Sequence, residues 1–476
     1  MADRVPFRVV TPIPQRVSLQ HFGRLVAHLQ PGPHFAATGF GPSIARLLSG
    51  DVAQAFAMYC GQFSSGGETI TAMASEVFEQ RLGSKPWQGQ LQNLSWLQHF
   101  AASKRNLHAH YALRLLGRWA KAAKAPRDAA TLSKIVLALA IDGPVLAQMC
   151  EADLQGEFFE LVTAQTKLLH RTTPSNFEVA LLKAIALLYM STSFQGFDAL
   201  RKPAIDQFNI NIDRLILPDG GHVSRNPQDV LVLLALLLPL KAAMKVARVN
   251  FPGSASNAIE RMLPFLAMMT HADGGLARFS GNSVQAELIA AIALYDKTHA
   301  APLLQARHSH FARLDHGKSM LLVDATSGDA MEFADGVQRL LTSNTNRPIE
   351  KGVTQLHLTP QGTVLQNNSR TYFLAENGHD LRIEDAYVAG LEITLVLEPN
   401  VRLTALRETA GILLVTPDRI LWQLSWRGGE AHIEKNGAVI KISAHQGQQL
   451  NWALKKQTKT AVPRARKRDS EPDLLT

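Results

Sequence analysis

The stretch Ile216-Leu-Pro-Asp-Gly-Gly-His-Val-Ser-Arg-Asn-Pro holds the densest set of chemically capable side chains in the sequence, placed just ahead of a long apolar run. A histidine titrates near neutrality, so His222 can act as a base or a proton shuttle; beside Asp-Gly-Gly it can equally fix the loop by hydrogen bonding. Arg225 carries a planar fork suited to a carboxylate or sulfate, or else anchors the loop ahead of the next helix. Asn226, its neighbour, joins it as a candidate substrate contact. A second turn, His271-Ala-Asp-Gly-Gly-Leu-Ala-Arg, repeats the Asp-Gly-Gly step and brings Arg278, which reads as a cleft residue or as a surface arginine. Glycines at such turns serve backbone conformations closed to other residues.

Other chemistries find no support. His308, His310 and His316 lie near Asp315, but their spacing matches no compact zinc site, and Cys60 and Cys150 have no nearby cysteine or histidine partners. Neither a Gly-rich phosphate loop nor a Gly-x-Ser-x-Gly elbow is present, so no nucleotide partner, cofactor or metal is expected.

The elements that must position these residues change character along the chain. From about Gly41 to Leu304 the apolar residues recur at helical spacing, as in 107–123, 130–141, 158–169, 177–189, 229–246, 255–269 and 283–295, with Gly- and Pro-containing breaks between. The run Val230–Leu240 is apolar on every side, which calls for neighbouring helices all round it and hence two layers, an inner set wrapped by an outer one. Beyond Leu304 the period becomes two. Ile420, Trp422, Leu424 and Trp426 share one face, and similar runs at 319–324, 353–358, 371–374, 393–397, 411–415 and 438–443 predict an antiparallel sheet or sandwich. The expected division is an N-terminal extension over 1–40, a helical domain over 41–304, a sheet domain over 305–454 and a disordered basic tail over 455–476.

The 476 residues are 46% hydrophobic and 19% charged, ordinary proportions for folded domains. The net charge is +9, of which the seven basic and three acidic residues of 455–476 contribute four, leaving a mildly basic body compatible with a polyanionic partner. The tail reads as a solvated terminus or as a nucleic-acid or anionic-lipid contact. No apolar leader opens the chain and no apolar run approaches the roughly 20 residues of a membrane helix, so no membrane span and a cytoplasmic location are expected, with the periplasm or cell envelope as the alternative.

The segment from Leu215 to Asn282 resembles the heparinase II/III-like family, a bacterial group related to polysaccharide lyases; Leu94-Ser-Trp-Leu-Gln-His-Phe and Trp422 to Trp426 with Ile433-Glu434 look like further pieces of it. The resemblance implies an α+β multidomain architecture, an incomplete α/α toroid followed by an antiparallel β-sandwich. It further implies cleavage of a uronate-containing anionic polysaccharide or oligosaccharide, such as a glycosaminoglycan, by β-elimination. That reaction needs a group to neutralise the uronate carboxylate, a base for the C5 proton and an acid for the leaving oxygen. His222 falls in the family's Asp-Gly-x-His motif with Asp219 and Gly220. Asn176, in Ser-Asn-Phe, looks like the asparagine of the family's Asn-His pair, though a helix cap is an equal reading. His379, in Gly-His-Asp, resembles the start of the family's sheet-borne histidine motif. Asp229 and Val230 stand where active members have a tyrosine followed by histidine. The resemblance thus leaves two functions open: a lyase using His222, Asn176 and His379 with Arg225, Asn226 and Arg278 on substrate, or a non-catalytic glycan-binding or structural protein on the same scaffold.

Overall fold

The computed structural model describes residues 35–78, 82–122, 128–279, 285–295, 300–326, 329–347, 354–367, 370–386, 388–406, 411–434 and 437–457. The chain divides into two compact units, one of 1–266 with 285–301, the other of 267–284 with 302–476. The segment 267–284, expected among the helices, therefore groups with the sheets.

In the first unit, helices with most of their surface buried alternate along the chain with amphipathic ones. Helix Ala129–Ile141 buries ten of its 13 residues and Phe177–Ser193 buries 11 of 17, whereas Ala152–Arg171 and Asp198–Leu215 bury six of 20 and six of 18. A helix apolar all round needs cover on every side, and a one-sided helix supplies it. Pro227–Val246 continues the first kind and Gly253–Met268 the second. This is the inner and outer alternation of an α/α toroid. Caps set the starts: Asp128 Oδ1 accepts the Thr131 N–H at 2.8 Å, and Pro227 opens its helix where no backbone donor is needed.

The second unit holds two eight-stranded antiparallel sheets. One runs in spatial order Gln305–Ala306, Phe311–His316, Ser319–Asp324, Ala330–Asp335, Gln338–Thr345, Glu392–Leu397, Val439–Ala444 and Gly429–Ile433. The other runs Gln355–Thr359, Gly362–Gln366, Arg370–Ala375, Asp380–Asp385, Asn451–Gln457, Leu421–Arg427, Gly411–Val415 and Arg402–Leu406. Their inner faces share one apolar core, in which Phe333 of the first sheet meets Trp422 of the second edge to face at 5.2 Å. The result is a β-sandwich, so the α+β order of helices followed by sandwich holds.

The last strand corrects the expected start of the tail. Lys455–Gln457 continue the pairing of Asn451–Gln457, and the Lys456 ammonium donates to Asp335 at 2.5 Å while lying over the Trp422 ring. A buried carboxylate and an aromatic face outweigh the solvation that composition alone suggests for these residues. Residues 1–34 and 458–476, including most of the basic tail, lie outside the described residues.

Candidate functional site

The His222 loop is a tight hairpin, and its conformation follows from its residues. Leu217 accepts the Gly220 N–H at 2.9 Å across Pro218-Asp219, and Gly220 then takes a left-handed φ of 85° before the chain returns to pair His222 with Ile216. Proline, aspartate and glycine each suit one step of a type I turn closed by a left-handed residue. The Asp219 carboxylate accepts the Gly221 N–H at 3.1 Å. A β-carbon on Gly220 would lie 2.0 Å from the Arg261 carbonyl oxygen, so glycine is required by space as well as by φ. Gly220→Ala is expected to cost about 2–4 kcal/mol, against about 1 kcal/mol for Gly67→Ala, where φ is also positive but nothing lies within 4 Å. Thermal unfolding of both variants checks the contrast.

The His271 loop repeats the construction. His271 accepts the Gly274 N–H at 2.9 Å, Gly274 has a φ of 78°, Asp273 accepts from Gly275 at 2.7 Å and Thr270 pairs with Leu276. In the two hairpins Leu276 occupies the place of His222, so the turn supplies geometry in both and the histidine is an addition specific to the first.

His222 is buried, and its Nδ1 meets two groups of Ser224: the hydroxyl Oγ at 2.7 Å and the backbone N–H at 3.1 Å. Ser224 Oγ in turn donates to Asp229 Oδ2 at 2.5 Å, which stands 3.5 Å from Nδ1. The hydroxyl hydrogen being committed to Asp229, the bond between Oγ and Nδ1 requires Nδ1–H as donor, whereas the backbone N–H requires Nδ1 as acceptor. The two partners suit the two tautomers, one leaving Nε2 with a lone pair and the other with a proton. Burial lowers the His222 pKa from its ordinary value, partly opposed by the carboxylates of Asp229 and Glu178. The ring is thus neutral at pH 7.

The remaining candidates fall in different settings. Asn176 is exposed and its Oδ1 caps helix Phe177–Ser193 by accepting the Val179 N–H at 2.9 Å, which leaves its two Nδ2 hydrogens to donate elsewhere. Asn226 does the same for helix Pro227–Val246 through the Gln228 N–H at 3.0 Å. Arg225 is half-buried with a left-handed φ of 59°. These three and His222 belong to the first unit. Arg278 and His379 belong to the second. The Arg278 guanidinium donates to both oxygens of Glu398 at 2.8 and 3.0 Å, so its charge is already matched. His379 is half-buried at the start of strand Asp380–Asp385; its backbone N–H donates to Asn377 Oδ1, and its carbonyl accepts from Lys456.

Sequence reasoning missed two features. Ser224, which joins His222 to Asp229, was visible only as a hydroxyl two residues past the histidine. In the second unit, Glu332 accepts from His271 Nε2 at 2.9 Å and from the Arg278 N–H at 2.5 Å, while Arg339 forks onto Asp273 at 2.7 and 3.0 Å. These contacts pin the second hairpin; they join residues more than 50 positions apart, and no local pattern announces them. Among the described residues no group of acidic, histidine or cysteine side chains is placed to hold a metal ion, and no helix is long and apolar enough to cross a membrane.

No protein-family model matches the chain. The FtsZ-localized protein C of Caulobacter vibrioides is 27% identical over 274 residues, 54% of this chain and 46% of that protein, so the match spans less than half the relative's length. Among solved structures, heparinase III aligns over 92% of this chain and 88% of its own with a TM-score of 0.60 at 10% identity. The heparan sulfate lyase HepC of Pedobacter heparinus aligns over 85% and 82% with a TM-score of 0.51 at 12% identity. A xanthan lyase of Paenibacillus aligns over 86% of this chain and 56% of its own, with a TM-score of 0.51 at 8% identity. Helical unit, sandwich and chain order together give this protein the fold of the heparinase III-like polysaccharide lyases.

Proposed function

We propose that the chain is a polysaccharide lyase that acts on a uronate-bearing glycan by β-elimination, with His222 as its base and Asp229 serving through Ser224 in place of the absent tyrosine. The observation that carries this reading is the hydrogen-bonded line from His222 Nδ1 through Ser224 Oγ to Asp229. With Nδ1–H donating along that line, the Nε2 lone pair takes the C5 proton. The imidazolium so formed is stabilised by Asp229 and returns the proton to the leaving oxygen. Arg225 and the free amide hydrogens of Asn176 supply the positive and polar contacts that the uronate carboxylate requires. Asn226 caps its helix as Asn176 does and keeps its amide hydrogens as a further substrate contact, whereas the Arg278 guanidinium is already engaged by Glu398.

Mass spectrometry of the digest tests the reaction class: elimination gives a product lighter by one water than hydrolysis of the same bond would. The acid limb of the pH–rate profile tests the base. His222 must be neutral to accept a proton, so activity falls as pH drops through its pKa, which burial keeps below the ordinary value of 6.5. Asp229 raises that pKa, so Asp229→Asn is expected to move the acid limb to lower pH while reducing the rate about tenfold or more. An unmoved limb excludes His222 as the titrating group.

A second reading, glycan binding without catalysis, is favoured by one observation: Asp229 stands where active members of the family carry tyrosine, and its carboxylate is bonded to the Ser224 hydroxyl. The relative named for its localisation with FtsZ fits that reading and a place on the cytoplasmic side.

A further inference from the structure

The first unit contains a cavity of about 680 Å³ that lies apart from the His222 hairpin in the chain, between the hairpin Gln62–Ser65/Glu68–Thr71 and the helices Lys85–Gln92 and Leu97–Ser103. Its size is within the roughly 300–1,000 Å³ of small-molecule sites. We propose that this cavity binds an uncharged sugar, a neutral hexose or N-acetylhexosamine unit of an oligosaccharide. The inference goes beyond the lyase reading and does not rest on it.

The lining gives the chemistry. Among the described residues that form it there is no lysine or arginine. Its acidic member is Glu68, whose Oε2 accepts the Ser84 N–H at 2.9 Å and which hydrogen bonding holds below the usual carboxylate range. His99 Nδ1 accepts the Asp51 N–H at 2.9 Å, which puts the proton of the neutral ring on Nε2; burial lowers its pKa, so it is an uncharged donor at pH 7. A phosphate or uronate entering here meets a carboxylate and no cation, a repulsive arrangement.

What the cavity does offer is paired donors and acceptors above a floor of buried apolar side chains. Gln54, Gln90 and Gln98 line it, and an amide presents a donor and an acceptor side by side, matching adjacent sugar hydroxyls. Gln90 is held by the Ser65 hydroxyl, which donates to its Oε1 and leaves the NH2 group as donor. The indoles of Trp87 and Trp96 spend their N–H groups on the Phe63 and Leu91 carbonyls at 3.0 and 3.1 Å and are 1% and 4% exposed, so they form a rigid packed floor that fixes the polar groups above it and offer no competing hydrogen bond. Gly66 and Gly67, at φ of 58° and 80°, close the hairpin in the doubly left-handed turn that keeps its tip free of side chains.

Calorimetric titration of the full chain with N,N′-diacetylchitobiose, cellobiose and an unsaturated heparan disaccharide tests the proposal. At least one neutral disaccharide is expected to bind in the micromolar to low-millimolar range, and the acidic one is expected not to compete with it. Gln90→Ala and Gln98→Ala, both at accessible positions, are each expected to weaken the neutral ligand about tenfold at an unchanged thermal midpoint, and His222→Ala to leave it unchanged. The proposal is overturned by no neutral binding at about 10 mM, by an acidic ligand that displaces the neutral one, or by Gln90 and Gln98 variants that bind as wild type does. Loss of lyase activity with neutral binding retained would instead remove the lyase reading alone.

Discussion

Arg370→Ala is expected to destabilise the sandwich unit by about 3–5 kcal/mol, the loss typical of breaking a buried ion pair from one side. Arg370 is 1% exposed and forks onto Asp385 at 2.7 and 3.0 Å. Asp385 also lies 3.2 Å from Arg347, which reaches Asp329 at 3.3 Å, and Asn367 donates to Asp329 at 2.6 Å. Two arginines and two aspartates thus balance inside the unit. Removing Arg370 leaves one carboxylate uncompensated where water cannot reach it. The double variant Arg370→Ala with Asp385→Asn restores neutrality around Arg347 and Asp329, so its loss should fall well short of the sum of the losses of Arg370→Ala and Asp385→Asn. Urea denaturation monitored on the sandwich tryptophans measures all three. Equal additivity would mean that the cluster is not electrically coupled.

His222→Ala is expected to lower kcat by about 10²–10⁴-fold with a much smaller change in KM, because a general base contributes in the transition state and little to ground-state binding. The loop itself should survive, since the turn rests on Pro218, Asp219 and Gly220 and the second hairpin carries leucine at the equivalent place. Ser224→Ala should give a smaller loss than His222→Ala, having removed only the link to Asp229. A His222→Ala variant with unchanged kcat would move the base elsewhere.

Much of this architecture is legible in the sequence. Helices were marked by all-round apolar runs, so 130–141 and 229–246 were placed to within a residue or two of the observed Ala129–Ile141 and Pro227–Val246. Asp198–Leu215 escaped because Pro203 lies inside it and its apolar stripe is thin. Strands 319–324 and 411–415 coincide with the observed ones. Ala330–Asp335 and Gln338–Thr345 did not register because they bury Glu332, Asp335, Arg339 and Ser343, which interrupts the alternation of apolar and polar faces. His316 ends strand Phe311–His316, with Nε2 2.7 Å from the Thr363 hydroxyl. At the candidate site, the turn and its histidine followed from residue types alone. The line through Ser224 to Asp229 depends on how a left-handed Arg225 folds the loop back onto the helix start, which spacing does not specify.

Continuous absorbance at about 235 nm, where the unsaturated uronate formed by elimination absorbs, tests the central claim most directly when wild type and His222→Ala are run against a panel of uronate-bearing polysaccharides. The expected result is a rise with at least one substrate that the variant loses. A flat trace from the wild type with every member of the panel, under conditions where binding is measured, would contradict catalysis and leave a glycan-binding protein on a lyase fold.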